Sequence, residues 1–248
     1  MLDDLARRAD DPVRHDLQLL MTGMEAEVTA LHGDVDTART LLGTLQATDP
    51  YSVTVLATIE ARIAVLVGDS GWALRAADRG AAVDPGFSFV FLGTYQRLAR
   101  CWARALTGDD PGGAAAAAER LIETNLFDPP RSCVATWYGL LGEMLLAAGS
   151  TVEAGAALDR ADRCLEAYGQ RYPEGLLLLL RARLLHARGE PPAVVRAAAE
   201  RARALSTERG AHLFAQRAEL LVAQLDHSKA KRDEEVSAPE QRPGPPAR

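Results

Sequence analysis

Residues 140–161 read LLGEMLLAAGSTVEAGAALDRA, and this run decides the fold. An apolar stretch closes on Ala147-Ala-Gly149, the polar Ser150 follows, and Ala154, Leu158 and Ala161 then recur at helical spacing. A glycine that ends one helix in the left-handed conformation, followed by a residue that caps the next, marks a helix-turn-helix unit. The same punctuation appears at Leu31-His-Gly33-Asp, Leu66-Val-Gly68-Asp, Leu106-Thr-Gly108-Asp and Ala187-Arg-Gly189-Glu. Successive turn glycines lie 35, 40, 41 and 40 residues apart, a period that belongs to stacked helical repeats.

Packing positions repeat with the turns. Seven residues before each glycine stand Ala26, Ala61, Cys101, Gly142 and Ala182, all small, so two helices approach closely there. Five residues after come Ala38, Ala73, Gly113, Ala154 and Val194, read as inward positions on the second helix. Pro50 and Pro85 separate one unit from the next. A small residue, a turn glycine, an alanine and a closing proline at these offsets resemble the tetratricopeptide (TPR) repeat. Gly142, Gly149, Ala154, Leu158 and Ala161 give the nearest match. The period near 40 is longer than the family's 34, and Pro111-Gly-Gly113 interrupts the third unit.

The expected fold is therefore all-α: a right-handed α-solenoid of about five TPR-like helix-turn-helix repeats plus a terminal capping helix. First helices are predicted near 12–31, 51–67, 87–107, 130–148 and 173–188. Second helices are predicted near 35–47, 70–83, 113–125, 151–168 and 191–208, with an eleventh at 211–226. Residues 1–227 form the expected repeat domain, and 228–248, with prolines at 239, 243, 245 and 246, form an expected disordered tail.

Composition agrees with this and narrows function. The chain of 248 residues is 48% hydrophobic and 25% charged with only 5% aromatics, which suits a globular helical protein rather than a disordered one. The formal charge of −6 and pI near 5.4 argue against direct nucleic-acid binding. Met1–Asp10 lacks the apolar core of a secretory signal, and no long uncharged apolar run occurs, so cytoplasmic residence without a membrane span is expected. Cys101, Cys133 and Cys164 have no CxxC spacing and read as small hydrophobes.

No phosphate loop, dinucleotide fingerprint, GxSxG elbow or HExxH is present, and the five histidines have no ligand spacing. A non-enzymatic protein with no cofactor and no metal is expected. First helices line the concave face of such an array, which makes Tyr95, Arg97, Arg100, Trp102 and Arg104 the candidate groove residues. The three arginines follow 3 and 4 spacing and suit a carboxylate, a phosphate or an acidic peptide. Arg196 and Arg203 are read as surface partners of Glu200. Leu213, Phe214, Leu220, Leu221 and Leu225 give the last helix an apolar face that either caps the array or supports a homodimer.

Residues Leu176–Leu225 resemble the last repeats of large bacterial regulatory ATPases, including LuxR-family activators. An AxG turn, the segment ARALSTERGA and a final helix with a central RA carry that likeness. It implies a sensor array without the ATPase and output domains, either a free-standing relative or a piece of a larger regulator. The expected function is a protein–protein interaction module of a bacterial regulatory system, with a protein or peptide partner. The alternative is a domain of a transcriptional regulator that senses a peptide or small-molecule ligand.

Overall fold

The computed structural model describes residues 12–86, 88–125, 133–169 and 171–237, with side chains from Asp16 to His227. Eleven helices follow one another through the described residues, and each packs on its chain neighbour. They are α1 (Pro12–Leu31), α2 (Val35–Gly43), α3 (Pro50–Val67), α4 (Ser70–Val83), α5 (Val90–Thr107), α6 (Pro111–Asn125), α7 (Val134–Ala147), α8 (Thr151–Tyr168), α9 (Glu174–Ala187), α10 (Pro192–Glu208) and α11 (His212–Ser237). The odd-numbered helices from α1 to α9 are the first members of five pairs.

The turns form as their glycines require. Gly33, Gly68, Gly108, Gly149 and Gly189 take φ values of 94°, 91°, 83°, 75° and 75°, the left-handed region where a Cβ is strained. The following helix is capped by Asp34 through Thr37 N and by Asp69 through Trp72 N. In the third pair the cap moves one residue on: Asp110, not Asp109, accepts from Gly113 N. Ser150 holds its N-cap position without a side-chain bond, and Pro191 takes that position in place of Glu190.

This slip corrects the inward positions of two second helices. Ala38, Ala73 and Ala154 are fully buried, but Gly113 and Val194 face outward. Their neighbours Ala114 and Val195 are buried instead, because Asp110-Pro111 and Pro191-Pro192 each delay the helix by one residue. The small positions on the first helices hold: Ala26, Ala61 and Ala182 are fully buried, and a Cβ on Gly142 would stand 3.0 Å from Leu158. Cys101 is only half-buried.

Among the described residues one helix, α3, is long and apolar enough by composition to cross a membrane, and it is mostly buried by its neighbours. Its apolarity serves the core, which runs from Leu19 to Phe214. A smaller cluster of Leu179, Ala182, Ala199, Ala202, Ala218 and Leu221 joins α9, α10 and α11.

The last helix continues to Ser237, eleven residues past the expected end at Asp226, so the backbone of 228–237 is helical rather than disordered. Residues 238–248, with the four prolines, lie outside the described residues, as do Met1–Asp11 and Asp128-Pro129. Leu213, Phe214, Leu221 and Leu225 are buried within the chain, and Leu220 alone of the five points outward. The apolar face of α11 thus serves the array rather than a second molecule. Arg196 and Arg203 pair across to Asp226 and Glu219 on α11, not along their own helix to Glu200.

Two glycines inside helices separate need from tolerance. A Cβ on Gly80 would fall 2.2 Å from Gln96 Nε2, whose bonds to Thr54 O and Thr58 Oγ1 tie α5 to α3, whereas Gly43 has nothing within 4 Å. Gly43→Ala is expected to raise stability by up to about 1 kcal/mol in urea denaturation. Gly80→Ala is expected to lower it, and an unchanged midpoint for Gly80→Ala would refute the close contact.

Candidate functional site

The first helices pack on one another, and two polar layers lie in the interior between them. The deeper one is organised by Glu143 on α7, a lone acid in the apolar run VATWYGLLGEMLLA. Its Oε2 accepts from Trp102 Nε1 on α5 at 2.9 Å. Its Oε1 accepts from Arg183 on α9 and from Arg217 Nη2 on α11, the latter at 3.0 Å. Arg217 also donates Nη1 to the carbonyl of Leu66, at the end of α3, at 2.8 Å. Burial pulls the Arg217 guanidinium down from its ordinary value, and the adjacent Glu143 carboxylate opposes that shift.

The second layer lies between α1, α3, α5 and α7. Glu27 and Arg62 pair at 2.8 Å, and the Arg62 guanidinium sits 5.7 Å from the Tyr95 ring centre. Tyr95 Oη contacts Cys133 Sγ at 2.8 Å, and Thr136 Oγ1 meets Tyr172 Oη at 2.7 Å. Trp137 stacks on Tyr95 with ring centres 6.2 Å apart. Glu27, Arg62, Cys133, Thr136, Trp137 and Tyr172 line a void of about 10 Å³ for water centres, room for one solvent molecule. Arg62 and Tyr172 form its mouth, each about one-third exposed.

Electrostatics in this layer favour a cation beside neutral hydroxyls. Burial pulls Arg62 down, but Glu27 together with the smaller effects of Tyr172, Cys133 and Tyr95 outweighs it, so its affinity for the proton rises. Burial pushes the Cys133 thiol up, against the Tyr95 hydrogen bond, which keeps it protonated and unreactive. Burial pushes the Tyr172 phenol up to about 12.

The five sequence-predicted groove residues divide between two surroundings. Tyr95 and Trp102 are buried in the interior layers. Arg100 pairs with Asp78 on α4 at 2.6 Å and Arg104 with Asp109 at 2.8 Å, both on the outside, and Arg97 is half-buried. At 100° per residue, the arginine stripe lies about 180° from Tyr95 and Trp102. The exposed pairs are worth at most about 1 kcal/mol each. Glu27, Arg62, Glu143, Arg183, Arg217 and Tyr172 were missed. A single charge inside an apolar helix face, as at Glu143 and Arg217, is the signal that marks them. Among the described residues no three His, Cys, Asp or Glu side chains gather as a metal site requires.

No family model matches the chain, and no curated protein matches it. Among solved structures, the crystal structure of Bacillus thuringiensis PlcR in complex with the peptide PapR7 and DNA superposes with a TM-score of 0.60. The two chains share a helical-repeat fold. Identity is 12%, and the match covers 84% of this chain and 75% of PlcR. At that identity the likeness to PlcR is one of fold: an all-helical array of pairs packed in sequence.

Two measurements check the site. Glu143→Ala leaves Arg217 buried beside one carbonyl and is expected to cost about 3–5 kcal/mol, with Arg217→Met in that background restoring part of it. Absence of rescue in thermal melts would show that Arg217 is not the stranded charge. The ultraviolet difference titration between wild type and Tyr172→Phe is expected to have its midpoint near 12. With the folded phenol raised, its contribution to stability is complete below pH 10 and declines as pH rises through about 12. A midpoint at 10 would place the hydroxyl in water.

Proposed function

We propose that this chain is a regulatory helical-repeat domain that senses a peptide or small ligand at the mouth of the small void between its first helices. One observation carries the reading: Arg62 and Tyr172 are partly exposed over the small void beside Glu27, whose inner lining is the buried Thr136 and Trp137. A guanidinium and a carboxylate side by side match the carbonyls and N–H groups of an extended backbone or the two charges of a small zwitterion.

The fold likeness to PlcR, whose structure contains a peptide, supports the ligand half of this proposal. The resemblance of Leu176–Leu225 to the final repeats of bacterial regulatory ATPases supports the regulatory half. An open cradle for a folded protein partner, the other expectation from sequence, has less room because Arg217 brings α11 across the interior to α3 and α7.

Affinity selection of short random peptides on immobilised wild type and Arg62→Ala tests the proposal. Peptides retained by wild type, lost with Arg62→Ala and able to raise the melting temperature are the expected result. If neither protein retains a peptide and no small-molecule mixture shifts the wild-type melt, sensing at this mouth is refuted.

A further inference from the structure

Two exposed apolar surfaces, one on α1 and one between α9 and α10, complement each other. On α1, Leu17, Leu20, Met21, Met24 and Val28 are 44–63% exposed and fall on one helical stripe. Asp16 and Glu25 flank that stripe on either side, and neither has an ion pair among the described residues. Leu17 to Val28 spans about 16 Å of helix. This is an amphipathic helix with its apolar face uncovered, Asp16 and Glu25 beside that face and Arg14 one turn before it in the sequence.

Between α9 and α10 lies an open apolar groove of about 540 Å³. Leu178, Leu185, Val194 and Ala197 contribute to its floor and walls, and Val194 is 45% exposed. Arg181, Arg188 and Arg201 rim it. Arg181 is neutralised by Asp159 and Asp162 of α8, and Arg188 reaches only the Thr151 carbonyl. Arg188 and Arg201 therefore have no carboxylate partner, whereas most described arginines do. The α9 wall from Leu178 to Arg188 is about 15 Å long, close to the length of the α1 stripe.

Charge is partitioned in the same sense along the chain. Residues 1–130 carry 11 basic and 19 acidic groups, a net of −8, and residues 131–248 carry 17 and 15, a net of +2. From the matched length, the apolar faces and the opposite charges, we infer that α1 of one copy docks in the α9–α10 groove of a second copy. The contact is head-to-tail, so each added copy presents a fresh α1 and a fresh groove, and assembly continues into a chain or closes into a ring. A contact one helix wide is small for a stable interface, which sets the association in the micromolar range.

Sedimentation of the full chain across the micromolar range, at low and high salt, tests this. Wild type is expected to form species larger than a dimer, and these should weaken with salt. Met24→Asp disables the stripe, and Val194→Asp with Arg201→Glu disables the groove. All three positions are exposed, and circular dichroism confirms that each variant is folded. Each variant alone is expected to be monomeric, and their equimolar mixture to give a 1:1 dimer and nothing larger, because one intact stripe meets one intact groove. A monomeric wild type overturns the inference. So does assembly that survives both sets of substitutions, a mixture that stays monomeric, or a groove variant that still dimerises alone, the result expected if α1 pairs with α1.

Discussion

A single buried carboxylate holds the array closed. Glu143 accepts from Trp102, Arg183 and Arg217, which stand on three other helices, and Arg217 also donates through Nη1 to the Leu66 carbonyl. Burying a carboxylate and a guanidinium is expensive unless every polar atom finds a partner, and here five helices supply the partners. The contact between Arg217 and Leu66 spans 151 residues, so the last helix and the second pair are fixed to one another. A solenoid held only by neighbour contacts would lack that constraint.

The sensing mouth and this closure share the end of α3. Val65 and Leu66 line the small void beside Arg62, and the Leu66 carbonyl is the one that Arg217 grips. A shift of α3 at the mouth therefore acts on the bond that places α11. That gives the proposed ligand a physical route to the far end of the chain, through one rigid helix rather than a diffuse pathway.

Alanine does for the backbone what Glu143 does for the polar interior. Ala26, Ala38, Ala61, Ala73, Ala154 and Ala182 are wholly buried where helices of a pair meet, so axes come close enough for the longer side chains to interdigitate. The outer surface is organised differently. Arg39 covers Trp72 at 4.5 Å and pairs with Asp69, and Arg160 bridges Glu119 and Glu123, so charge links adjacent pairs while apolar packing holds each pair together.

The repeat was legible in the sequence because its causes are local. A left-handed glycine, an N-capping aspartate and apolar positions at 3.6 spacing act within a few residues, which suffices to mark out the eleven helices seen among the described residues. Even the separation of Tyr95 and Trp102 from the arginine stripe lay in that spacing. The one-residue delay at Asp110 and Pro191 has a local cause as well, since Pro111 and Pro192 each open their helix one residue later than the turn glycines imply. The partners of Glu143 and Arg62 depend on how far the array winds, which is the sum of many small rotations between pairs. No local spacing encodes that sum, so the tertiary structure alone decided that Glu143 meets Arg217 and that Glu27 meets Arg62.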